Sequence, residues 1–130
     1  MCILLETNVL WSSDYELNQK NVFDHMAAQF SGIPPIHNHE GYLVVTEDLM
    51  KIDGDVELEI RLSEITELYR GFDENYPRNF IKNFGMFCQP VRVKYFQDFS
   101  YKIIYLIVGY NFFGCAKGQA LFDLLQELLS

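Results

Sequence analysis

Residues 41–72 read GYLVVTEDLMKIDGDVELEIRLSEITELYRGF. Val56, Leu58, Ile60 and Leu62 alternate with Glu57, Glu59 and Arg61. That is the period of two in which one face of a strand is buried and the other is wet. The preceding run, residues 42–52, is aromatic and β-branched at its start and apolar at its end, and reads as the partner strand. Asp53-Gly54-Asp55 separates the two runs, and Asp-Gly supplies the positive φ that a short hairpin turn needs. After Leu62 the alternation breaks at Ser63-Glu64-Ile65, where Ser63 turns the chain. Residues 66–72 resume as a third strand with Leu68 inward.

Working outward, residues 3–11 form a first strand or an irregular edge, with Asn8 weakening a continuous strand. Residues 14–31 are expected to be helical. Ser13 and Glu16 fit a capping box, in which each side chain satisfies an orphan backbone N–H. Val22, Phe23, Met26, Ala27 and Phe30 then recur at threes and fours. Gly32 and Pro34-Pro35 stop that helix, and residues 33–40 link it to the central hairpin. Residues 91–96 and 101–110 form a second hairpin turning at Gln97-Asp98-Phe99-Ser100. Residues 118–129 form an amphipathic helix whose stripe is Leu121, Leu124, Leu125 and Leu128. The chain is therefore mainly β with helices, an α+β class of five to seven antiparallel strands closed by a C-terminal helix.

Bulk properties bound this picture. The 130 residues suit one domain, and 49% hydrophobic with 15% aromatic content is enough for one core. A net charge of −8 repels phosphate backbones and anionic bilayers, so neither nucleic acid nor a membrane is the expected partner. Cys2, Cys88 and Cys115 are an odd number at irregular spacing. A disulfide framework is not expected, and a reducing, cytoplasmic compartment is the simpler assumption. The apolar start stops at Glu6 without a basic n-region, unlike a signal peptide. Residues 103–113, the most apolar window, fall far short of the roughly 20 residues of a spanning helix.

The order of parts Gly41-Tyr42-Leu43-Val44-Val45-Thr46, Leu49-Met50-Lys51-Ile52 and Ile60-Arg61-Leu62-Ser63-Glu64-Ile65 resembles the pleckstrin-homology-like (PH-like) superfamily, most closely its GRAM and bacterial PH-like members. The terminal GQALFDLLQELLS is similar to the helix that plugs one end of that superfamily's bent antiparallel β-barrel. The resemblance covers roughly residues 40–130 and implies a PH-like barrel, with the helix at 14–31 as an addition. It implies an interaction module without catalysis or cofactor, binding a protein or peptide or another copy of itself. The phosphoinositide-binding members carry Lys and Arg near the first hairpin, whereas residues 1–46 here offer only Lys20.

Candidate sites are few. The expected contact surface is the aromatic segment Tyr76, Phe80, Phe84 and Phe87, interleaved with Arg78 and Lys82 and continued by Arg92 and Lys94, because clustered exposed aromatics mark interfaces. Arg92 and Lys94 also suit a charged outer strand face paired with Glu across the sheet. His37, His39 and Glu40 carry metal-ligand chemistry but lack an evident further ligand, so no metal is expected. Cys88 would need a histidine beside it to act as a nucleophile, and Cys115 reads as a buried, inert thiol. No G-x-S-x-G, P-loop or G-x-G-x-x-G is present. The rivals to an interaction module are a lipid-surface binder and a small α+β enzyme or ligand carrier with a pocket near His37 and His39.

Overall fold

The computed structural model describes residues 2–17, 37–77, 88–111, 114–115 and 117–130. Strand β1 (Ile3–Ser13) runs into a short helix α1 (Asp14–Leu17). Then follow β2 (His39–Thr46), β3 (Leu49–Gly54), β4 (Leu58–Arg61), a 3-10 turn (Leu62–Glu64) and β5 (Ile65–Arg70). The second half contains β6 (Val91–Gln97), β7 (Ser100–Val108), the two-residue strands β8 (Tyr110–Asn111) and β9 (Gly114–Cys115), and helix α2 (Gly118–Leu129).

Seven strands form one antiparallel sheet in the order β4-β3-β2-β1-β7-β6-β5. Its two edge strands, β4 and β5, are joined by only the three residues Leu62–Glu64. In a flat sheet of seven strands those edges would stand roughly 29 Å apart, six spacings of about 4.8 Å. The four peptide steps from Arg61 to Ile65 reach at most about 15 Å. The sheet must therefore curl until its edges approach, and among the described residues they do not pair. The seven strands are thus one continuous, incompletely closed sheet.

The inward side chains follow from strand parity. Val9, Trp11, Leu43, Val45, Met50, Ile52, Ile60, Val91, Val93, Tyr95, Ile104, Leu106 and Val108 form the core inside the curl. Helix α2 adds Leu121 and Leu125 to it, with Phe122, Leu124 and Leu128 packed at its border. Burying each leucine contributes about 1.5–3 kcal/mol of gross hydrophobic free energy. A second cluster lies on the outer face of β7, where Leu17, Tyr76, Cys88, Tyr105 and Ile107 pack together. Residues 104–108 are thus buried on both faces, which is why they read as a continuous apolar run rather than an alternation.

Several expectations change. Residues 42–52 are two strands, because the chain reverses between Thr46 and Leu49, where the Thr46 hydroxyl accepts the Leu49 N–H at 3.3 Å. Gly54 does not take a positive φ; it pairs with Gly41, and a Cβ on it would overlap the Glu40 carbonyl oxygen. Val56 is exposed, and the alternation becomes a strand only from Leu58. β1 is no edge: it pairs with β2 on one side and β7 on the other. The capping box is present, with Ser13 N–H donating to Glu16 Oε1 at 2.9 Å and Glu16 N–H to Ser13 Oγ at 3.1 Å. The helix it starts is described over Asp14–Leu17, and residues 18–31 of the expected helix lie outside the described residues.

Cys88 and Cys115 form a disulfide, with only Cys2 left as an exposed free thiol. Spacing in sequence could not pair them; the fold does, by returning the chain after β8 to the segment that enters β6. The premise for a reducing compartment falls with this bond, and so do both thiols as nucleophiles. Among the described residues no helix is long and apolar enough to cross a membrane.

Candidate functional site

Among the described residues β5 hydrogen-bonds to β6 on one side only. Beside its other edge lies the C-terminal end of α2, and the two enclose a groove of about 560 Å³. Ile65 and Leu68 line it from the strand, and Gln126 and Leu129 from the helix. Ile65 and Leu68 are of opposite parity, but the register of β5 against β6 shifts between Ile65 and Glu67, so both pack on the core, while Leu129 lies past the buried stripe and stays 38% exposed. The groove therefore combines an apolar wall, a polar rim and a row of strand-edge backbone groups. Those are the parts an added strand uses: main-chain hydrogen bonds for affinity and side-chain pockets for selectivity.

The aromatic and basic residues singled out in the sequence separate. Arg78, Phe80, Lys82, Phe84 and Phe87 lie outside the described residues. Tyr76 is 1% exposed and stacks on Tyr105 with ring centroids 5.7 Å apart, so it is a core residue and not part of a contact surface. Its burial pushes the phenol well above its ordinary range. Arg92 is half-buried and held by neighbours on its own face: its guanidinium donates to Asp73 Oδ2 at 2.9 Å and to Glu67, and lies 4.8 Å from the centre of the Tyr69 ring. Burial works against its charge, but the bonds to Asp73 and Glu67 outweigh that and raise its pKa. The Lys94 ammonium sits 5.1 Å from the Tyr101 ring centre.

Asp73, which the sequence did not single out, organises this region. Its Oδ1 accepts the backbone N–H groups of Asn75 and Tyr76, each at 2.9 Å. Its Oδ2 accepts the Tyr105 hydroxyl at 2.7 Å as well as Arg92. Burial opposes its ionisation, yet the bond from Tyr105, with those from the Tyr76 N–H, Arg92 and Asn75, holds it below the usual carboxylate value. The Asp-x-Asn turn was the visible signal; the Tyr105 partner is brought in only by the fold.

The histidines also part. His37 Nε2 is 3.0 Å from Glu40 Oε1. His39 has Nδ1 2.8 Å from Asp55 Oδ2 and Nε2 2.5 Å from Glu16 Oε2, with its ring 4.3 Å from that of Trp11. Both ring nitrogens thus face carboxylates, an arrangement for an imidazolium that donates twice rather than for a ligand offering a lone pair. Among the described residues no cluster of three or more His, Cys, Asp or Glu side chains is placed to hold a metal ion.

Searches of family models and of curated proteins match nothing to this chain. Among solved structures it is similar to the C-terminal domain of an unknown protein from Leishmania infantum, at 13% identity and a TM-score of 0.51, over 99% of this chain and 85% of that one. At that identity the likeness concerns the fold alone.

Proposed function

We infer that the chain is a non-catalytic interaction module built on a PH-like barrel, and that the β5–α2 groove is its binding face. Two features support the barrel. The sheet is a meander interrupted only between β4 and β5, and a C-terminal helix lends its leucines to the core. One observation carries the function: a strand edge that no other described strand pairs with, running beside an apolar-walled groove. A protein segment in extended form, with apolar side chains at alternate positions, fits there.

The test is selection of a displayed library of random peptides against the dilute chain, followed by affinity measurements. Selected peptides should alternate apolar and polar residues and lose at least tenfold in affinity to the variant Leu129→Lys. Failure to enrich any peptide, or binding indifferent to Leu129→Lys, would remove the groove as the binding face.

A further inference from the structure

The turn between β6 and β7 carries a second surface. Asp98 and Phe99 both stand at positive φ, 55° and 64°. This is the backbone of a two-residue hairpin turn, which Asn-Gly or Asp-Gly fills without strain. A bulky residue there is an outlier. Phe99 is 98% exposed, so burial of its ring within the chain does not offset the strained backbone. Strain retained at so exposed a residue points to a contact outside the molecule.

The neighbours agree. Phe96 and Tyr101, one cross-strand pair back from the turn, are 42% and 63% exposed and meet edge to face with centroids 4.9 Å apart. Lys94 lies over the Tyr101 ring, and Lys102 is 3.3 Å from Asp98. Residues 94–102 hold Lys94 and Lys102 against Asp98, a local charge of +1 in a chain of −8. A convex, aromatic, locally positive tip calls for a concave acceptor with an apolar wall and acidic surroundings. The chain carries one itself: the β5–α2 groove is walled by Ile65, Leu68 and Leu129, and although Glu67 in its lining is paired with Arg92, Glu127 is exposed on the same helix end.

We propose that Phe99 of one copy inserts into the β5–α2 groove of a second copy. This rests on the groove being the binding face argued above, and names its occupant. An aromatic anchor seated in an apolar pocket is the contact that dominates interface energetics. The contact is head-to-tail, so every open complex keeps one free tip and one free groove, and assembly proceeds to closed rings or open chains.

Sedimentation velocity of the full chain over a wide concentration range tests this. The mean mass should rise with concentration. Phe99→Gly, which also relieves the positive φ, should stay folded and associate at least tenfold more weakly, and Leu129→Lys should do the same. An equimolar mixture of the two variants should form a dimer and stop there, because one partner keeps the groove and the other the tip. A native chain that is monomeric throughout, or variants that fail to complement, overturn the inference. Assembly that survives Phe99→Gly but not Leu129→Lys also overturns it, while leaving the groove as an interface. Loss with Phe99→Gly alone, Leu129→Lys being indifferent, removes the groove as the acceptor. Phe99-dependent binding of the monomer to phosphatidylcholine vesicles would assign the tip to a lipid surface instead, and would equally overturn it.

Discussion

His39 Nδ1 stands 2.8 Å from Asp55 Oδ2, which ties the start of β2 to the residue that follows β3. The other ring nitrogen is 2.5 Å from Glu16 Oε2 at the end of β1 and α1, so one side chain joins three elements. Burial disfavours the charged ring, but hydrogen bonds to Asp55 and Glu16 outweigh it and raise the pKa above 6.5. Asp55 is lowered below 3.8, first by its hydrogen bond with His39.

These shifts set a window for stability. The raised histidine contributes fully below its unfolded value of 6.5, and its share is lost as pH rises through the folded value. The lowered aspartate contributes above 3.8, and its share is lost as pH falls through its folded value. Between 3.8 and 6.5 both contributions are present. His39→Gln should therefore lower the melting temperature by roughly 3–6 °C near pH 6. That gap should narrow as pH rises toward 9. Thermal melts of both proteins across pH check this, and a gap that widens with pH would contradict the clasp.

Asp73 accepts from two backbone N–H groups and two side chains, so its removal leaves several partly buried donors unpaired. Asp73→Asn should destabilise by about 2–3 kcal/mol, and Tyr105→Phe by about 1 kcal/mol. The two should couple in a double-mutant cycle measured by urea unfolding, since they share one hydrogen bond. Because the folded pKa of Asp73 is depressed, the Asp73→Asn deficit should be complete above 3.8 and shrink as pH falls through the folded value.

The legible parts of the fold were those with a local cause. The stripe of α2 follows from leucines spaced at helical intervals, and Leu121 and Leu125 are fully buried as that spacing requires. The second hairpin turns at Gln97-Asp98-Phe99-Ser100 and pairs Gln97 with Ser100. The capping box at Ser13 and Glu16 was local too. The misread parts depend on tertiary proximity. Gly54 looked like a turn residue because Asp-Gly often is; only its pairing with Gly41 reveals a close approach. Residues 42–52 carry no Gly, Pro or Asn at the reversal, so Asp48 was the one turn-forming residue at Glu47-Asp48, a weaker signal than the Asp53-Gly54 that follows. Tyr76 resembled an exposed contact aromatic because loop residues usually face water; here the outer face of β7 supplies a second core for it. The β5–α2 groove joins residues some sixty positions apart, and no spacing rule reaches that far.

The Cys88–Cys115 bond closes a separation of 27 residues. Restricting an unfolded loop of that length is worth roughly 3.5 kcal/mol in the chain-entropy model. Reduction should therefore lower the urea midpoint and loosen first the cluster of Leu17, Tyr76, Tyr105 and Ile107 around it. Thiol titration gives the direct count: one reactive thiol, Cys2, in the native chain, and three after reduction and unfolding. Three reactive thiols in the native folded chain would show the bond absent.

Gln97, at the end of β6, reaches across the open seam of the sheet. Its Nε2 donates to the Glu59 carbonyl of β4 at 3.0 Å and lies 3.3 Å from Glu64 Oε1. Glu64 Oε1 also accepts the Arg61 N–H at 2.8 Å, and the Leu62 N–H donates to the Asp48 carbonyl at 2.9 Å. The three-residue link is thus pinned from both sides, with Leu62 as its buried anchor. Leu62→Ala should destabilise the whole chain by about 2–4 kcal/mol through the cavity it leaves. Gln97→Ala should lose only about 1 kcal/mol. Its signature should be local: faster amide hydrogen exchange in β4 and β5, with β1, β2 and β7 unchanged. Uniform acceleration across all strands would mean that the edges are held by the sheet as a whole, and that the seam has no independent clasp.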